Sequence, residues 1–105
     1  MKIEPGSSNV YADLGLPDAQ DMLIKAKLAT EINKIISLCQ LTQVEAAKIL
    51  GMTQPKLSGM LRGQFRGISE LKMIDCLNRL GRDVDIVVKP TPNTRRAGCI
   101  SVVFA

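Results

Sequence analysis

Residues 42–63 read TQVEAAKILGMTQPKLSGMLRG, two short helical patterns with one sharp break between them, and this stretch decides the fold. Thr42 can cap the first pattern, its hydroxyl accepting free backbone N–H groups of the opening turn. Glu45, three residues on, can answer Thr42's own N–H, which completes a capping box. Val44, Ala47 and Leu50 fall three apart and predict a narrow apolar stripe. Gly51 ends the run where a left-handed residue costs least. Thr53 can cap a second helix at once, with Pro55 inside its first turn, where a missing N–H does least harm. Leu57, Met60 and Leu61 supply its inward side, leaving Gln54, Lys56, Ser58 and Arg62 to face out. Two helices of about eight residues with a glycine in the joint match a helix-turn-helix. Neither could bury its stripe alone, so the flanking chain must supply a platform.

Upstream, residues 1–17 are rich in Gly, Ser, Pro and Asn and lack any period. They are expected to form a flexible arm, with Val10, Tyr11 and Leu14 available to rest on the domain. Asp18 is placed to cap a helix of about 20 residues, and Asp21 lies in its first turn, where a negative charge is favoured. Ile24, Leu28, Ile32 and Ile35 mark its stripe, widened by Ala29 and Ile36, and Gln40 with Leu41 make the bend into the motif. Downstream, Gly63 and Gly67 break the chain into a loop, with Phe65 positioned to cover the core edge or, alternatively, to stack on a base. Ser69 can cap a further helix whose Leu71, Ile74, Leu77 and Leu80 repeat nearly every turn before Gly81 stops it. Residues 18–81 are therefore expected to be the helix-turn-helix domain.

Beyond Gly81 the period changes. Val84, Ile86 and Val88 alternate with Asp85 and Val87, which predicts a strand over 84–88, and Cys99–Val103 can make a second. Pro90, Pro92 and a turn-rich basic connection separate them. A two-stranded hairpin is marginal alone, and an unpaired strand invites a partner from another copy. Residues 82–105 are expected to be a C-terminal β dimerisation segment and tail, with Val84, Ile86 and Val88 at the contact. The dimer would form by strand exchange or by hairpins meeting edge to edge; the alternative is a mobile tail.

The chain has 105 residues, 46% of them hydrophobic, which is enough for one domain and one core. No stretch approaches the ~18 uninterrupted apolar residues of a membrane span, and the start, MKIEPGSSNVYADLG, lacks the apolar run of a secretory signal. Cys39, Cys76 and Cys99 are odd in number and have no metal-ligand spacing; the first two lie in apolar helical surroundings and are expected to be buried. A reducing cytoplasmic compartment suits them. The chain contains no histidine, so His-assisted nucleophiles and the common zinc sites are excluded. Asp83 and Asp85 are the only paired acids on one expected face and suit the solvated side of a strand. Cys99 has Arg95 and Arg96 near it in sequence, a weak basis for a reactive thiol. There is no Gly-rich phosphate loop. No enzyme, metal site or cofactor is expected.

The formal charge of +4 is unevenly spread. Residues 1–42 are net −1 and residues 43–105 net +5, and between Ala46 and Ser69 stand Lys48, Lys56, Arg62 and Arg66 with no acid. Such a field suits backbone phosphates, although a solvated basic face has the same composition. In a helix-turn-helix the second helix enters the major groove. Gln54 is the leading base reader, since its amide can donate and accept together against adenine; Lys56 can reach a guanine or a phosphate; Ser58 and Gly59 keep one side slim for close approach. Gln43, Thr53, Arg62 and Arg66 suit phosphate contacts, Arg62 also being able to reach a guanine.

The run LTQVEAAKILGMTQPKLSGMLRG resembles the Cro/C1-type (XRE) helix-turn-helix family. The pattern is carried by Thr42-Gln43, Ala47, Gly51, Thr53-Gln54, Ser58 and Arg62-Gly63. The ending LNRLGRDVDIVVKP, and Leu14-Gly15 through Asp21, are similar to its HigA-like antitoxin branch. The resemblance implies a mainly α, lambda-repressor-like fold of five helices, a homodimer on a palindromic double-stranded DNA operator, and autoregulation by a repressor of a type II toxin–antitoxin pair. It also implies a RelE/HigB-like toxin as a partner. In the competing reading the chain is chiefly a protein-interaction module that neutralises that toxin, with DNA binding secondary.

Overall fold

The computed structural model describes residues 19–93 and 97–105. Residues 25–84 form one unit, while the described residues of 19–24 and 85–105 belong to another. Among the described residues four helices follow one another: α1 Ala19–Leu38, α2 Gln43–Leu50, α3 Gln54–Leu61 and α4 Glu70–Arg79. The expected arm over 1–17, the capping Asp18, and Arg95 and Arg96 lie outside the described residues.

Local signals set the helix ends. In α2 the capping box is complete: the Glu45 N–H donates to Thr42 Oγ1 at 3.1 Å, and the Thr42 N–H donates to Glu45 Oε1 at 2.8 Å. Accepting the Thr42 N–H holds the Glu45 carboxyl below its ordinary value. Gly51 closes α2 in the left-handed region at φ 67°, and Gln40 turns the chain after α1 at φ 57°. Thr53 and Ser69 cap α3 and α4 through their hydroxyls, accepting from Lys56 and Lys72. No fifth helix occurs among the described residues; Phe65 to Ile68 is a single turn, closed by the Ile68 N–H on the Phe65 carbonyl at 3.0 Å.

The core of the 25–84 unit draws on every helix. Ile32 and Ile35 of α1, Leu50 of α2, Leu57 and Met60 of α3, and Met73 and Cys76 of α4 are fully buried, with Phe65 and Ile68 buried from the loop. Each large aliphatic side chain so placed contributes about 1.5–3 kcal/mol, which two-turn helices need because they are unstable alone. Within this unit α2 packs against both α3 and α4.

Several expectations need correction. Val44 is 49% exposed and Ala46 is buried in its place; Leu71 is 75% exposed, and α4 buries Met73 beside the expected Cys76 and Leu77. The reason is helical phase: positions three apart retreat about 60° per step on a helix of 3.6 residues per turn, so a strict three-residue line walks off its own face. Cys39 is exposed rather than buried, because it follows the last turn of α1 instead of riding its stripe. Gly59, expected on the outward side, is buried.

No strand occurs among the described residues, so neither 84–88 nor 99–103 forms the expected β element. Val84, Ile86 and Val88 are all exposed, Val88 to 93%. Alternation specifies a strand only when one face is covered and a neighbour completes the ladder, and Pro90 and Pro92 lack the N–H groups a hairpin return would use.

Candidate nucleic-acid interface

The outward face of α3 follows from which side its apolar residues bury. Leu57, Gly59 and Met60 are buried, so Gln54, Ser58 and Arg62, spaced four apart, lie along one stripe on the opposite side. Gln54 and Arg62 are exposed and Ser58 is half-buried. Arg62 Nη1 donates to Ser58 Oγ at 2.8 Å, which lays the guanidinium along the stripe and leaves the serine proton available to an outside acceptor. Lys56 is exposed but sits about 160° round the helix from Ser58. The four outward residues expected of α3 are therefore three on one stripe and one, Lys56, on the far side of the helix.

Thr53 Oγ1 accepts the Lys56 N–H at 3.3 Å and keeps its own proton to donate. Gln43 is exposed at the first position of α2, whose early N–H groups have no intrahelical acceptor. Arg66 is exposed in the turn after α3, and the buried Lys25 holds that turn from α1, its Nζ donating to the Arg66 carbonyl at 3.0 Å. Gln43, Thr53, Arg62 and Arg66 are thus all exposed on the unit.

Two side chains outside this set also shape the motif. Gln64 folds back on α3: its N–H donates to the Gly59 carbonyl at 2.8 Å, and a methyl group at residue 59 would come within 3.1 Å of its Oε1. Gly59 is thus a packing position and not an opening for the duplex. Arg79, in the last turn of α4, reaches to α2, with Nη1 donating to the Ile49 carbonyl at 3.3 Å. Sequence periodicity carries no signal for such a contact, since the partners are thirty residues apart.

Nothing in this region favours covalent chemistry. Burial pushes the Cys76 thiol above its ordinary value, and the sulfur lies against Met52 Sδ at 4.0 Å. Among the described residues no group of His, Cys, Asp and Glu is placed to hold a metal ion, and no described helix is long and apolar enough to cross a membrane.

Comparison with known proteins agrees with this geometry. Residues 10–89 match the family model described as a helix-turn-helix domain. A solved structure assigned as an XRE family transcriptional regulator is similar at 39% identity with a TM-score of 0.79, covering 85% of this chain and 100% of its own. No curated protein matches the chain. The chain belongs to the helix-turn-helix domain family, in its XRE-type branch of DNA-binding transcriptional regulators.

Proposed function

We propose that this protein is a sequence-specific transcriptional repressor that acts as a homodimer on the promoter of its own operon, as the HigA-like antitoxin partner of a small RelE/HigB-like toxin. The observation that carries the DNA-reading part is the exposed stripe of Gln54, Ser58 and Arg62 on α3, in a chain of XRE type. In this reading Gln54 addresses adenine, Ser58 a base edge and Lys56 a flanking guanine or phosphate, while Gln43, Thr53, Arg62 and Arg66 anchor the phosphates. Two α3 helices, one per subunit, would sit about 34 Å apart in successive major grooves, and the bound dimer would exclude polymerase from the promoter.

Self-association through Val84, Ile86 and Val88 is supported by their exposure on a short apolar segment. The antitoxin role is supported by the resemblance of Leu77–Pro90 to the HigA-like ending. The reading is tested by gel retardation of the DNA upstream of the gene, with ultracentrifugation of the full chain and of residues 1–83. Retardation by a dimer, and monomers after truncation, are the expected results. Failure to prefer the upstream DNA over unrelated duplex would sink the repressor reading, and persistent dimers would move the interface elsewhere. Co-purification with the product of an adjacent toxin-like reading frame tests the antitoxin role separately.

A further inference from the structure

An α-helix leaves its last four carbonyls without intrahelical donors, and in α2 these belong to Ala47, Lys48, Ile49 and Leu50. The backbone satisfies two of them: the Gly51 N–H donates to Lys48, and the Met52 N–H to Ala47 at 3.0 Å. The other two are taken by cations from α4. Lys72 Nζ donates to the Leu50 carbonyl at 2.9 Å and Arg79 Nη1 to the Ile49 carbonyl at 3.3 Å. Asp75 stands between the two cations and holds both, accepting from Arg79 Nε at 2.9 Å with Lys72 Nζ 3.5 Å away. The guanidinium of Arg79 also covers Gly51, lying 3.4 Å from where a Cβ would stand. All four terminal carbonyls are thus accounted for, two locally and two across the fold.

We infer that Lys72, Asp75 and Arg79 form a clamp that fixes the α2–α3 joint, and so the angle at which α3 meets DNA. They are positioning residues for base discrimination and not phosphate contacts. This rests on the proposed DNA reading and deepens it. Only Gly51, Met52 and Thr53 separate α2 from α3, so the end of α2 dictates where α3 begins. Two positive groups at the negative end of the α2 dipole are favoured there, and Asp75, whose bond from Arg79 keeps its carboxyl below the ordinary value, stays charged to brace them. The clamp also removes two cations from the electrostatic footprint that composition alone would assign to the nucleic acid.

The test uses a duplex enriched by the full-length wild-type protein from a randomised pool, beside a scrambled duplex of the same length. If the wild type enriches no sequence, the DNA reading itself fails. If it does, Lys72→Met and Arg79→Met, each confirmed folded by circular dichroism at the assay temperature, should lower the ratio of specific to non-specific affinity about tenfold. The slope of log affinity against log salt should stay at the wild-type value, and Lys72→Arg should restore the ratio. Where a methionine variant does not fold, Asp75→Asn keeps both cations, removes only their brace, and is read in the same way. An unchanged ratio overturns the clamp. So does a slope reduced by about 0.9 per residue, which marks direct phosphate contact.

Discussion

Replacing Gln54 by alanine isolates base reading from folding, because the structure commits this side chain to nothing else. Gln54 is exposed at the first position of α3, and the first turn is capped by Thr53, whose hydroxyl holds the Lys56 N–H. Alanine is also a better helix former than glutamine, if only slightly. The change in stability should stay within about 0.5 kcal/mol, as for other exposed positions, and hence within ~4 °C in Tm. On DNA the same change removes an amide that can donate and accept together at adenine, a contact worth about 1–3 kcal/mol of discrimination, or ~5- to 160-fold in affinity. No charge is altered, so the salt slope should stay fixed. Fluorescence anisotropy with the enriched and scrambled duplexes, at several salt concentrations, reads both quantities together. Loss on the enriched duplex alone is the expected result. Equal loss on both duplexes would mean that Gln54 acts through the general attraction for DNA, and the orientation assigned to the α3 stripe would be wrong.

Arg62→Ala should lower the salt slope by about 0.9 if its guanidinium rests on a phosphate; an unchanged slope with a changed base preference would assign it to guanine instead. Leu57 is fully buried, so Leu57→Ala should destabilise the chain by about 2–5 kcal/mol and lower Tm by at least ~8 °C, measured by calorimetry; a smaller loss would show that the core collapses around the gap. Glu45 and Asp75 both bind protons less tightly in the folded chain than in the unfolded one, so their contribution is present above their ordinary values of 4.5 and 3.8 and is lost as pH falls below them. Glu45→Gln should therefore flatten the acid limb of a Tm-against-pH curve between about pH 5 and pH 3, and an unaltered limb would remove the capping box from the account.

The helix-turn-helix was legible in the chain because its decisive interactions span four residues or fewer. Thr42 with Glu45, Thr53 with Lys56 and Gly51 at the close of α2 all act within a single turn, and each stands where reading the residues placed it. Long-range packing is different in kind. The depth of Ala46 over Val44, and of Met73 over Leu71, depends on which way each short helix is rolled against its neighbours. A spacing of three leaves that roll open, because it drifts around the helix. The C-terminal alternation misleads for a related reason: Val84 to Val88 have the composition of a strand, but a strand exists only where a second one hydrogen-bonds to it.

What the sequence by itself determined was the helix-turn-helix motif, its caps and breaks, and the identity of the polar side chains on α3, since these follow from backbone chemistry within one turn. Only the tertiary structure decided that the stripe of Gln54, Ser58 and Arg62 is the side left uncovered, and that Gly59 packs inward. It alone brought Lys72 and Arg79 to the carbonyl end of α2. That last outcome depends on contacts between groups more than twenty residues apart, and such contacts are set by how the whole core closes.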